Sequence, residues 1–228
     1  MKRPRLAGNV THVLYDLDGL LLDTEHIYTV ATQEVVGEYG KSFDWTLKSN
    51  MIGRPSIESA RYLVDALDLP LAPEEYLELR RTRLEAMFPD TEAKPGARAF
   101  TAAVAALGVP QAVATSSERA LFELKITRHR DWFATFEALV TGDDPRVASG
   151  KPAPDIFLVA ADDLGAKPSQ CLVFEDAPAG VEAARAAGML VVAIPDPAMD
   201  RDHFRDANLV IESFEEIEPT DFELGGEH

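Results

Sequence analysis

From about residue 97 onward, short apolar runs alternate with segments long enough for helices, and this rhythm limits the fold more than any other feature. The runs are residues 111–114, 138–141, 171–174, 190–194 and 209–211. Between them, 154–164 and 179–187 fit helices, as do 97–107, ended by Gly108, and a stretch from about Ser117. Apolar strands separated by helical crossovers predict a parallel sheet covered by helices on both faces. One more strand, 10–15, stands alone near the start. The stretch that follows it, about 24–90, reads as helix throughout. Ile57, Ala60, Val64 and Leu67 recur at helical spacing until Pro70. Pro73 opens another helix, with Glu74 and Glu75 in its first turn and Leu77, Leu84 and Phe88 on one side before Pro89. The expected fold is therefore α/β: a discontinuous Rossmann-like core, residues 1–23 and 91–228, with an inserted all-helical cap, residues 24–90.

Composition narrows the function. A chain of 228 residues, 46% hydrophobic, buries enough surface to stand without a disulfide or metal staple. The one cysteine, Cys171, excludes an intramolecular disulfide and fits a reducing, cytoplasmic setting. No apolar run reaches the roughly 18 residues of a membrane span. No apolar region follows the basic start, so no signal peptide is expected. The 22 Lys and Arg face 39 Asp and Glu, a net charge of −17. That argues against nucleic acid or an anionic membrane as partner. An anionic substrate would need a local cation to reverse the sign, which screening over about 8 Å allows.

Three predicted strands end in polar residues: the first at Asp16 and Asp18, the second at Thr115-Ser116-Ser117, a later one at Glu175-Asp176. Open parallel sheets bind ligands beyond the carboxyl ends of their strands, so these groups can share a crevice. Clustered carboxylates suit Mg²⁺, a hard cation. One can attack phosphorus, and a neighbour can protonate the leaving oxygen and later activate water. Hydroxyl and backbone donors with Lys151, in the loop Gly150-Lys151-Pro152, would hold the phosphoryl group. Singly, each feature has a plainer account: Asp-x-Asp as a turn, Thr-Ser-Ser as a helix cap, Glu-Asp as a helix-dipole partner, Lys151 as a surface charge. Their order and their common place at strand ends favour chemistry.

Together these residues resemble the haloacid dehalogenase-like phosphohydrolases with a helical cap after the first motif. The resemblance lies in Asp16-Leu17-Asp18-Gly19, in Ala112-Val113-Ala114-Thr115, in Gly150-Lys151-Pro152 and in Phe174-Glu175-Asp176-Ala177-Pro178. Thr141-Gly142-Asp143-Asp144-Pro145 and Phe43-Asp44-Trp45-Thr46-Leu47-Lys48 are similar to the branch holding pseudouridine-5′-phosphatases and plant glycerol-3-phosphatases. The resemblance implies an Mg²⁺-dependent phosphatase of small phosphomonoesters acting through an aspartyl phosphate, monomeric or a small homo-oligomer. It further implies Asp16 as nucleophile and metal ligand, and Asp18 as acid/base that lends its backbone carbonyl to the metal. Thr115, Ser116 and Lys151 would hold phosphate, Asp176 would be a further metal ligand, and Glu175 would be a ligand or its support. A sugar-phosphate mutase like β-phosphoglucomutase shares these motifs. A non-catalytic protein on the same fold has no use for the clustered acids.

Against the mutase, the position five after Asp23, where that group carries a histidine, is Tyr28, and the position three after Gly53, where it carries an arginine, is Ser56. His26 and Arg54 are candidate substrate-selecting residues. For each, a plainer role is at least as consistent with the sequence: packing for His26, a solvated turn for Arg54. Arg128-His129-Arg130 is expected to have a surface or ion-pair role rather than to bind nucleic acid, and Cys171 to be a buried small hydrophobe.

Overall fold

In the computed structural model, which describes residues 9–52, 56–222 and 224, the apolar runs pair into one parallel sheet. Its strands are β1 (His12–Tyr15), β2 (Gln111–Ala114), β3 (Ala138–Val140), β4 (Cys171–Glu175), β5 (Leu190–Ala193) and β6 (Leu209–Val210). They lie in the order β3-β2-β1-β4-β5-β6. β1 pairs with β2 (Val13 against Gln111) on one side and β4 (Val13 against Leu172) on the other. The chain therefore winds outward in both directions from β1 and β4, and a crevice opens above their carboxyl ends, where this topology binds ligands.

Side chains alternate across the sheet, so each strand feeds two cores. One face carries Val13, Tyr15, Val113, Leu172 and Phe174. Helix α5 (Ala97–Ala106) covers it with Phe100 and Val104, together with Phe122 and Trp132. Aromatic rings fill this layer: Tyr15 stacks on Phe174 at 5.5 Å, and Phe100 meets Phe174 edge-on at 5.1 Å. The other face carries Leu14, Ala112, Ala114 and Val173. Small residues there admit two close helices, α8 (Asp155–Asp163) and α9 (Pro178–Ala186), through Phe157, Ala160 and Ala183.

Between β1 and α5 run α1 (Thr24–Gly37), α2 (Trp45–Met51), α3 (Ser56–Leu67) and α4 (Pro73–Met87). Asp44 caps α2 by accepting the Leu47 N–H at 2.9 Å, and Glu75 accepts the Ala72 N–H at 2.9 Å at the start of α4. Val35, Val36, Leu63, Val64 and Tyr76 form a separate apolar cluster among these helices. Leu77 leans on that cluster, whereas Leu84, and Phe88 in the 3₁₀ turn after α4, pack with Ala31, so the expected apolar side divides between two clusters. The helical stretch leaves and rejoins the sheet layer side by side. The Asp23 N–H donates to the Glu92 carbonyl at 2.9 Å, and the Lys94 N–H to the Leu21 carbonyl at 2.9 Å.

Observed elements differ from expectation mainly at their ends. β1 begins at His12, and helix α6 (Arg119–Lys125) begins two residues after Ser117, leaving Ser116 and Ser117 in the loop above β2. A short helix, α7 (Arg130–Phe133), and 3₁₀ turns at Phe214–Glu216 and Pro219–Phe222 were not anticipated. They have no periodic pattern to reveal them. Phe214 and Phe222 nevertheless close the aromatic face of the sheet. Arg128 and Arg130 pair with Asp90, Glu92 and Glu123, as expected of an ion-pair cluster. Cys171 is buried in β4, and burial pushes its thiol up to about 11. No helix of the described residues is long and apolar enough to cross a membrane.

Candidate active site

The backbone emerging from β1 places Asp16 at the centre of the crevice. Its N–H donates to the Phe174 carbonyl of β4 at 3.0 Å, so the first residue past the strand is still fixed by the sheet. Asp16 is 6% exposed. Lys151 reaches it from the loop before α8, donating to Asp16 Oδ1 at 2.5 Å, to Glu175 Oε1 at 2.7 Å and to the Ala114 carbonyl at 3.2 Å. These three acceptors take all three N–H groups of the ammonium. The Phe157 ring, 4.8 Å away, backs the cation with an aromatic face.

Glu175 ends β4 fully buried. Its other oxygen, Oε2, accepts the N–H groups of Asp176 at 2.9 Å and Ala177 at 3.0 Å. Both its oxygens are thus engaged in holding Lys151 and shaping the turn that presents Asp176. Two glycines make room for these acids. A Cβ on Gly19, whose φ is +78°, would lie 2.1 Å from Asp176 Oδ2. One on Gly180 would lie 1.7 Å from Glu175 Oε1.

Asp16, Glu175 and Asp176 each offer an oxygen within 4.8 Å of the others. Their electrostatics favour a cation. Asp16 is pushed up to about 7, first by burial and then by the charges of Glu175 and Asp18, against the pull of Lys151. Asp176 is pushed well above the usual carboxylate range by burial, then by Glu175, Asp16 and Glu25. One lysine does not offset this density of acid. A divalent cation would, and the oxygen-only donor set suits Mg²⁺. Because Glu175 is already bonded on both oxygens, Asp16 and Asp176 are the side chains best placed to hold the ion.

Asp18 is arranged differently. Its carboxylate accepts from Lys125 at 2.5 Å on Oδ1, and from the hydroxyls of Ser117 at 2.8 Å and Thr115 at 3.3 Å on Oδ2. Burial alone would raise it, but Lys125, Ser117 and Thr24 outweigh burial and hold it below the usual range. Ser116 is exposed on the wall of the cleft, while Thr115 is fully buried beneath it.

The structure thus brings Asp16, Asp18, Ser116, Lys151, Glu175 and Asp176 to one cleft of about 790 Å³, with Thr115 behind Asp18. Glu25, Tyr28 and Arg81 line its helical side. His26 does not join them. It is exposed and lines a neighbouring groove with Trp45, Lys48 and Asp196. Arg54 lies outside the described residues. Sequence reasoning missed Lys125. Its one signal was a lysine three residues after Phe122, on the inward face of α6.

Residues 10–188 match the family of haloacid dehalogenase-like hydrolases. The Arabidopsis thaliana protein (DL)-glycerol-3-phosphatase 1, mitochondrial, is 41% identical over 95% of this chain and 74% of its own length. A Drosophila melanogaster protein named as a probable pseudouridine-5′-phosphatase is 43% identical over 96% of each chain. The crystal structure of a HAD family hydrolase from Deinococcus radiodurans R1, with bound phosphate and sodium, matches with a TM-score of 0.76. That match is 29% identical and covers 92% of this chain and 94% of the other.

Proposed function

The chain belongs to the haloacid dehalogenase-like hydrolases and is a phosphoric monoester hydrolase, and we propose that it hydrolyses small sugar, polyol or nucleoside phosphates with Mg²⁺, through an aspartyl phosphate on Asp16. The observation that carries this reading is the setting of Asp16: a buried carboxylate past the central strand, oriented by Lys151 and facing Asp176. In the first half, an Asp16 oxygen attacks phosphorus in line with the ester oxygen. The bond from phosphorus to that oxygen breaks, its electron pair stays on the oxygen, and a proton from Asp18, whose neutral form the anionic ester favours against the pull of Lys125, neutralises the departing alkoxide. In the second half, water attacks phosphorus, Asp18 takes its proton, and the bond to Asp16 breaks to give phosphate and the free carboxylate. Lys151 and the donors around Ser116 balance the charge on the transferring oxygens. Asp16 and Asp176 would hold the Mg²⁺, with the Asp18 backbone carbonyl, and Glu175 anchors Lys151 and the Asp176 turn. When bound, the ion supplies positive charge that keeps Asp16 ionised and draws phosphate oxygens toward it.

Residues 24–90 serve as a cap over the cleft in this reading, and a cytoplasmic setting suits the free Cys171. Glycerol 3-phosphate and pseudouridine 5′-phosphate, the substrates in the names of the two relatives, are the first candidates. A mutase needs a base on the cap side. Tyr28 occupies the relevant position, and burial first, then the Asp18 charge, raises its hydroxyl above the ordinary value. It accepts a hydrogen bond from Lys125 at 3.3 Å and is poorly suited to take a sugar proton. The test is a panel ranked by kcat/KM: pseudouridine 5′-phosphate, glycerol 3-phosphate, 2-deoxyglucose 6-phosphate, phosphoglycolate and FMN, with β-glucose 1-phosphate plus its bisphosphate primer as a mutase control. Phosphate release from several panel members without glucose 6-phosphate formation is expected. Isomerisation faster than phosphate release would overturn the reading.

A further inference from the structure

Lys125 is fully buried, 0% exposed, at the end of α6, and no step above uses it. Its ammonium donates to three oxygens: Asp18 Oδ1 at 2.5 Å, Ser117 Oγ at 2.7 Å and Tyr28 OH at 3.3 Å. Ser117 in turn donates to Asp18 Oδ2 at 2.8 Å, so lysine, serine and carboxylate close a ring that grips both Asp18 oxygens. The Phe88 ring lies 4.7 Å from the ammonium, and Tyr28 stands edge-on to Phe88 at 5.7 Å. Packing does not account for a charge here. Burying an ammonium costs several kcal/mol, and a methionine of similar length would fill the space beside Phe88 but leave the Asp18 carboxylate without its cation. The charge is therefore tied to Asp18 rather than to the packing around it, and it points to a task performed through that carboxyl group.

We propose that Lys125 is a positioning residue for the reaction. With Ser117, it holds the Asp18 carboxyl group in one orientation at the cleft, where the proton is needed. The contact with Tyr28 ties this alignment to helix α1 on the opposite wall of the cleft. The inference rests on the reading of Asp18 as the proton donor. A positioned donor is worth roughly 10²–10⁴-fold, and mainly for poor leaving groups, whose oxygen cannot depart without a proton. Loss of Lys125 therefore discriminates between substrates by leaving group, which a general loosening of the fold does not.

The experiment compares kcat/KM, which reports the steps up to departure of the alcohol, for p-nitrophenyl phosphate and for the best alkyl phosphate of the panel. In Lys125→Met, kcat/KM for the alkyl ester should fall roughly 30–100-fold and that for the aryl ester less than about fivefold, the positioning share of the donor's effect. The alkyl loss should fall on kcat, with KM within about twofold of wild type. Ser117→Ala, which removes one tie without touching the buried charge, should split the substrates in the same direction by a smaller factor, and it carries the test if Lys125→Met does not fold. Equal losses on both esters, or a loss confined to KM, overturn the proposal. Asp18→Asn is the control. If it splits the substrates and Lys125→Met does not, only the role of Lys125 fails. If neither does, the donor role of Asp18 fails with it.

Discussion

Asp16 and Asp18 are two residues apart, yet their surroundings push them in opposite directions. Burial and neighbouring acids carry Asp16 up to about 7, whereas Lys125, Ser117 and Thr24 hold Asp18 down against burial. Without a cation, the proposed nucleophile is thus the carboxylate that resists ionisation, and positive charge beside Asp16 and Asp176 would correct this. The raised Asp16 has a consequence for stability. Between the unfolded value of about 4 and the folded value of about 7, the folded protein binds more protons, so the Asp16 contribution falls as pH rises through that window. Asp16→Asn removes the titration and should also abolish turnover. Urea unfolding in EDTA should show the variant gaining on wild type between pH 5 and pH 8, by about 1–3 kcal/mol after allowance for relaxation of the site. Parallel stabilities at both pH values would contradict the electrostatic reading. At this scale, the meeting of Asp16, Asp18 and Asp176 was legible because polar residues at the ends of apolar strands stand out, and that of Lys151 through its Gly150-Lys151-Pro152 loop. Lys125 was not, since nothing in a helical stretch tells a buried lysine from a solvated one without the partners that the fold brings to it.

The turn from β4 into α9 shows how an element holds the site. Glu175 closes the strand, accepts the first N–H groups of the turn and pins Lys151, and Gly180 in α9 leaves space for its carboxylate. Helix propensity alone predicts that Gly180→Ala stabilises α9 by roughly 1 kcal/mol. The new Cβ, 1.7 Å from Glu175 Oε1, predicts the opposite, and overpacking at about 1–3 kcal/mol should win. The expected result is a lower urea midpoint with activity cut at least tenfold as Lys151 loses its anchor, an order-of-magnitude figure for a displaced charged donor. A gain in stability with normal activity would show that the turn yields easily. The strands and most helices were readable from periodicity, and strand ends fell within one or two residues of expectation. The 3₁₀ turns carrying Phe214 and Phe222 were not readable, because isolated aromatics become core only when the sheet gives them a face.

Over the whole molecule, a net charge of −17 meets an acidic cleft that must receive an anion. Lys151 with a bound cation would locally reverse that field within a Debye length of about 8 Å. Mg²⁺ at about a hundred times its Kd stabilises by about 2.7 kcal/mol, which for a chain of this size raises Tm by roughly 5–10 °C. The rise should be larger at pH 8 than at pH 5, where protons compete for Asp16 and Asp176, and a pH-independent rise would place the ion elsewhere. The run of helices between β1 and α5 was legible as a break in the strand–helix rhythm. Its use of Tyr28 to touch Lys125 across the cleft was not, because that contact joins residues 97 positions apart. The central claim is that phosphate passes through Asp16, and an acid quench during turnover tests it most directly. With Mg²⁺ and a ³²P-labelled substrate, the wild-type protein should carry a hydroxylamine-labile label on the peptide containing Asp16, and Asp16→Asn should carry none. Steady turnover with no label, or label on any other residue, would contradict the account.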